Sequence, residues 1–131
     1  MARWLLFLGA LNGLFSLALG AFGAHALRSR IATELFTVFQ TAVQYHQVHA
    51  LGLLAIGLLA LRHPSGWLVG SGWLMLSGIV LFSGSLYLLA VTGLRSLGMV
   101  TPFGGGALLL AWLALCVAML RLPATAQKTR P

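Results

Sequence analysis

The sequence predicts an all-α integral membrane protein, folded as an up-down four-helix bundle. Three observations predict it: the composition, the length of the uncharged stretches, and the short breaks between them. Of 131 residues, 60% are hydrophobic and 7% are charged, and Glu34 is the single acidic residue. A soluble globular domain carries about 25% charged residues. The composition therefore excludes an ordinary soluble enzyme and a disordered chain, and the lone Cys116 excludes a disulfide scaffold.

The positions of the charged residues divide the chain into four spans. Each uncharged interval can hold the roughly 20 apolar residues that cross a hydrocarbon core of about 30 Å. Helices are expected because lipid supplies no partner for unpaired backbone groups. We predict a transmembrane domain over 1–122, with helices at about 4–26, 33–61, 66–91 and 102–121, and a polar tail over 123–131. The first run resembles a signal peptide, but its length and Asn12 favour a retained span.

The breaks between spans determine the topology. Residues 62–66 and 92–98 contain Pro or Gly, which predicts short turns. Because the connections are short, we expect neighbouring helices to run antiparallel. Both termini then lie on one side, and the basic residues on that side are Arg3, Arg62, Arg121, Lys128 and Arg130. The opposite side carries Arg28, Arg30 and Arg95. The positive-inside rule places both termini in the cytoplasm. The basic residues form no continuous face, which excludes a nucleic-acid partner.

Small residues form stripes along the first and third helices. In lipid, such stripes let helix backbones approach closely. We expect packing within the bundle, with homo-oligomerisation as the alternative. The glycines expected to pack are Gly9, Gly13, Gly20, Gly70, Gly78 and Gly84.

Polar residues gather in the half of the bundle away from the termini. The candidate polar site consists of His25, Glu34, Gln44, Tyr45, His46, His49, Ser83, Tyr87 and Thr101. Only Asn12, Ser16, Ser71 and Ser77 are polar in the rest of the spans. Thr101 followed by Pro102 is also typical of a helix N-cap and first helical position.

The histidines allow three interpretations. The first is hydrogen bonding between helices to Gln, Ser, Thr or backbone groups. The second is a metal or haem site formed by His25, His46 and His49, although an H-x-x-H pair without a carboxylate is a weak signal. The third is a path for protons or a solute. We assign no metal and no cofactor. The sequence also lacks hydrolase, nucleotide-binding and dithiol motifs, so we assign no catalytic residue and expect no enzyme.

Four strings carry a resemblance to a known family: GAFGAHAL at 20–27, TAVQYHQVHAL at 41–51, LFSGSLYLL at 81–89 and TPFGG at 101–105. Together they resemble the small membrane proteins related to human transmembrane protein 256, a domain-of-unknown-function family in bacteria. The resemblance spans about residues 4–121. It implies a four-helix protein of the bacterial inner membrane with no established activity. Val48 departs from the pattern, because the family's second string is expected to hold an aromatic residue there.

The sequence thus predicts a non-enzymatic accessory or interaction subunit of the inner membrane. Its polar end would contact lipid, a membrane-protein partner or a second copy of the chain. The alternatives are a haem- or metal-binding membrane protein that uses the three histidines, and a transporter or channel for a small solute.

Overall fold

The computed structural model describes residues 1–122, and four helices in this range are long and apolar enough to cross a membrane. We number them α1 (Ala2–Leu27), α2 (Thr33–Arg62), α3 (Gly66–Thr92) and α4 (Arg95–Leu120). The all-α membrane bundle predicted from the sequence is confirmed. Residues 123–131 lie outside the described range, so the division into a helical domain and a tail stays a prediction.

Three of the helices depart from regular α geometry, which the sequence did not reveal. The last turn of α1 is a π-helix over Gly23–Leu27, and a second π-helical turn over Ile79–Ser83 interrupts α3. The fourth helix begins as a 3₁₀ turn over Arg95–Met99 and is α-helical over Thr101–Leu120. Single π-helical turns are frequent at functional sites, and the turn in α3 lies beside the polar groups described below.

The connection between α3 and α4 depends on one glycine. Gly93 has φ of 72°, a left-handed conformation that lacks a steric penalty only for glycine. The N-cap predicted at Thr101 is wrong, because Val100 before it already has helical angles, φ −79° and ψ −32°. Thr101 therefore lies inside the helix, and its hydroxyl pairs with that of Ser85 at 2.8 Å.

The helices pack antiparallel, α1 along α2 and α3 along α4, with α2 also contacting α3. Glycines allow this close approach. A Cβ atom at Gly57 would lie 2.9 Å from the backbone nitrogen of Leu6, and one at Gly78 would lie 3.0 Å from that of Leu108. At Gly104 a Cβ would overlap the backbone of Phe82. Both helix pairs are thus held by backbone contact, as is typical of membrane helices packed through small residues.

The glycines predicted to pack divide into two groups. Gly9 lies against Leu54, Gly20 against Val43 and Gly78 against Leu108. By contrast, a Cβ atom would meet nothing within 4 Å at Gly13, Gly70 and Gly84. Contacts between the described residues therefore do not require the last three to be small. A stripe of small residues in the sequence of one helix does not show which of those residues face a neighbouring helix.

The apolar core is concentrated in the half of the bundle that holds the termini. Leu5, Leu53, Ile56, Leu68 and Met75 are fully buried there. A smaller cluster in the other half consists of Leu27, Phe39 and Ala90. The guanidinium of Arg121 lies over the Trp67 ring, 5.0 Å from its centroid. This cation–π contact joins the start of α3 to the end of α4.

Replacing Gly104 by valine should destabilise the bundle, because backbone atoms of Phe82 cannot move aside. Overpacking costs about 1–3 kcal/mol, occasionally more, and we expect at least the upper part of that range. The free energy of unfolding in mixed micelles measures it. Gly106→Val is the control, since a Cβ there meets nothing within 4 Å. Equal destabilisation by both variants would contradict the backbone contact.

Candidate functional site: hydrogen bonds inside the membrane

His46 lies near the middle of α2 and joins three helices. Its Nε2 is 3.0 Å from Oδ1 of Asn12 on α1, and its Nδ1 is 3.2 Å from the hydroxyl of Tyr87 on α3. The Tyr87 ring packs against Phe39, with ring centroids 5.0 Å apart. Because His46 is only 6% exposed, the Asn12–His46–Tyr87 chain crosses the interior of the bundle.

The partners of Asn12 define the direction of these hydrogen bonds. The Asn12 amide nitrogen donates to the Leu8 carbonyl at 2.8 Å, so Oδ1 is the atom that faces His46. A carbonyl oxygen only accepts, and Nε2 of His46 must therefore carry a proton. In a neutral imidazole Nδ1 is then the acceptor, and the Tyr87 hydroxyl donates to it. This arrangement leaves the Tyr87 oxygen free to accept a further hydrogen bond.

His49 belongs to a separate aromatic cluster one turn further along α2. Its Nδ1 donates to the Tyr45 carbonyl at 2.6 Å, within the same helix. The imidazole stacks on Tyr45 at 5.8 Å and meets Trp112 of α4 edge-on at 6.2 Å. Tyr45 also packs on Phe82, with centroids 4.5 Å apart. His46 therefore contacts α1 and α3, whereas His49 contacts α4, although the two residues are only three apart.

The structure does not bring the three histidines together. His25 is exposed in the π turn that ends α1, while His46 and His49 are buried against different neighbours. Within residues 1–122, no group of three or more His, Cys, Asp or Glu side chains could hold a metal ion. The described residues therefore do not form a metal site shared by the three histidines.

The other residues of the predicted polar site lie at several places. Glu34 is exposed in the first turn of α2, and Thr101 pairs with Ser85. Gln44 and Tyr45 lie on the exposed side of α2. The terminal half is filled by the apolar core, which gives no support to a solute path through one chain. The residues predicted from the sequence to form one polar site therefore face different directions, and the site itself stays a prediction.

Asn12 was missed as a site residue. Its position along α1 places it in the half of the bundle that holds the termini, yet its side chain reaches His46. The sequence does contain an indication of this contact: a lone amide in an otherwise apolar span is costly without a hydrogen-bond partner.

A cleft of about 270 Å³ opens between α1 and α3 beside this chain of hydrogen bonds. Its polar lining residues are Asn12, His46, Ser83 and Tyr87. Phe15 of α1 and Val80 of α3 also line the cleft and are exposed, at 52% and 62%. The cleft therefore opens sideways, towards the lipid.

Ser83 is the one buried side chain whose polar atom lacks a hydrogen-bond partner among residues 1–122. It is 1% exposed and ends the π-helical turn of α3. An unpaired buried hydroxyl costs about 1–3 kcal/mol, so a partner from outside the described residues would be stabilising.

Three glutamines, Gln40, Gln44 and Gln47, form an exposed row on α2. None of them makes a side-chain hydrogen bond within residues 1–122. The hydroxyls of Thr37 and Thr41, in contrast, each donate to a carbonyl one turn earlier. The row is called the glutamine face below.

These features define a small multi-pass α-helical membrane protein with polar groups held inside its spans. A family model described as "Protein of unknown function (DUF423)" matches residues 19–105. The chain belongs to this family, and the resemblance inferred from the four motifs is confirmed.

Three related bacterial proteins are named as UPF0382 membrane proteins. The chain is 47% identical over 121 residues to the UPF0382 membrane protein YwdK of Bacillus subtilis, covering 87% of this chain and 94% of that protein. It is 42% identical to the UPF0382 membrane protein SERP0230 of Staphylococcus epidermidis, covering 87% and 93%. It is 38% identical to the UPF0382 inner membrane protein YgdD of Escherichia coli, covering 92% of each. No solved structure matches the chain significantly.

Replacing Tyr87 by phenylalanine should destabilise the protein, because Nδ1 of His46 loses its donor while the ring contact with Phe39 is kept. Hydrogen bonds between membrane helices average about 0.6 kcal/mol and reach about 1.7, and we expect a value in this range. Unfolding in mixed micelles measures it. Tyr45→Phe is the control, because the Tyr45 hydroxyl has no partner in the described chain. A smaller loss for Tyr87→Phe than for Tyr45→Phe would be inconsistent with the hydrogen bond.

Proposed function

We propose that the chain is a non-enzymatic accessory subunit of the bacterial inner membrane. In this proposal it binds a helix of a partner membrane protein through the glutamine face. The observation that supports it most strongly is the exposure of Gln44 and Gln47 at membrane depth without a partner in the described chain. The inner-membrane location is supported by the printed name of the Escherichia coli relative.

The length of α2 supports a position of these two amides within the hydrocarbon. Its 30 residues extend about 45 Å, whereas the hydrocarbon core is about 30 Å thick. About ten residues can therefore project beyond the core, at one end or divided between both. Residues 43–52 remain within the hydrocarbon in every case, and both Gln44 and Gln47 fall in this range.

Exposure to lipid is unfavourable for these side chains. Unpaired polar groups have no water to bond with in the hydrocarbon. Glutamine side chains are among those that form hydrogen bonds across membrane helices. A partner helix that supplies donors and acceptors at this level would satisfy both amides, which is why we infer a protein partner at this face.

Replacing Gln44 and Gln47 together by leucine should abolish partner binding while the bundle stays folded. A photo-crosslinking amino acid placed at Val48, beside the face, should give a discrete crosslinked band in intact cells. We expect the double variant to lose most of that band. The control is Ser77→Ala with Thr92→Val, because these exposed hydroxyls already donate to carbonyls of their own helix.

The mass of the crosslinked product identifies the partner. A product containing a different membrane protein supports the proposal, whereas a dimer of this chain would replace it by homo-oligomerisation. Crosslinks to lipid alone, unchanged in the double variant, would overturn it. Purification in mild detergent gives an independent check, since an accessory subunit should elute with its partner.

With both termini in the cytoplasm, the loop at residues 28–30 faces the periplasm. Ser29→Cys, in a Cys116→Ala background, should then react with a membrane-impermeant maleimide added to cells whose outer barrier is permeable to it. Ser65→Cys, at the opposite end of the bundle, should react only after lysis. The reverse pattern would place the termini outside.

A further inference from the structure

We propose that the cleft between α1 and α3 binds a lipophilic alcohol: an uncharged hydroxyl head on an apolar chain, entering from the bilayer. This inference concerns a ligand and does not depend on the partner proposed above. It rests on three observations: the unpaired hydroxyl of Ser83, the charge of the cleft, and its opening towards lipid.

The first observation defines the polar contact. The Ser83 hydroxyl can donate one hydrogen bond and accept others, and it has no partner among residues 1–122. Ser83 and Tyr87 are four residues apart on α3, so their side chains are neighbours. The Tyr87 oxygen retains an acceptor site, because its proton is used on His46. Because neighbouring atoms cover the Ser83 Oγ, its side chain must turn towards the cleft. A ligand hydroxyl would then accept from Ser83 and donate to Tyr87.

The second observation excludes a charged head. No Lys, Arg, Asp or Glu lines the cleft, and burying an unpaired charge is far more costly than burying a hydroxyl. A phosphate or carboxylate head would have no counter-charge there. The neutral hydroxyl satisfies the available donor and acceptor without introducing a charge.

The third observation explains the apolar chain. The cleft volume of about 270 Å³ far exceeds the roughly 30 Å³ of one water. It lies just below the usual range of small-ligand pockets, about 300–1,000 Å³. A small head and its first methylene groups fit this space. The rest of the chain would leave between Phe15 and Val80, whose exposed rings and methyl groups flank the opening.

Photolabelling in lipid nanodiscs tests the proposal. The probe is a long-chain alkyl alcohol that carries a diazirine and an alkyne, and labelled peptides are identified by mass spectrometry. We expect saturable labelling of α1 and α3 at the cleft. Unlabelled hexadecanol should compete. The methyl ether can still accept from Ser83 but cannot donate to Tyr87, so it should compete about threefold to tenfold less well, and the matching alkane should compete least. Equal competition by the alkane would reduce the cleft to an unspecific lipid groove, and equal competition by the ether would overturn the donated hydrogen bond.

Two variants with matched controls locate the site. Ser83→Ala should lower labelling about threefold to tenfold, as expected for one neutral hydrogen bond, whereas Ser77→Ala on the same helix should not. Gly84→Leu should abolish labelling by filling the cleft, since open space surrounds that position. Gly106→Leu, also in open space but on α4, is its control. Unchanged labelling in Ser83→Ala would overturn the proposal. The competition experiment uses the unaltered protein, so it tests for a specific alcohol site even if a variant fails to fold.

Discussion

Lipid hydrocarbon offers no hydrogen bonds, and this constraint governs every polar group in the spans. Some groups are satisfied within their own helix, as Thr92 is by the Leu88 carbonyl. Others connect two helices, such as Ser71, whose hydroxyl donates to the Ala111 carbonyl at 2.8 Å. Several groups have no partner in the described residues, and among them Ser83 and the glutamine face are the places where contact with other molecules is most favourable.

Close packing and polar pairing depend on each other in this bundle. The Ser71 hydroxyl reaches a backbone carbonyl on the next helix only because α3 and α4 approach closely. Gly78 and Gly104 permit that approach, since a side chain at either position would overlap the neighbouring helix. The hydrophobic effect adds little to helix association in lipid. Backbone proximity and the hydrogen bonds it allows therefore hold these helices together.

The sequence predicted an all-α bundle of four membrane helices, because that fold follows from the order of apolar and charged residues along the chain. The sequence could not predict which polar side chains contact one another, since depth along a helix does not determine the direction a side chain faces. His25 and Glu34 share the depth of the polar residues but face outward. Asn12 lies nearer the termini yet reaches His46. Helix rotation is set by contacts between helices, and these cannot be read from one sequence.

The π-helical turn at Ile79–Ser83 has a consequence for the whole of α3 beyond it. A π turn holds one residue more than an α turn, so the following residues are rotated by about 100° relative to an uninterrupted helix. That rotation directs Ser85 towards Thr101 and Tyr87 towards His46, two contacts on different neighbours. Deleting one residue from the turn would misalign both contacts at once, although the hydropathy of the span would hardly change. The contacts of the polar interior therefore depend on the length of α3 as well as on its side chains.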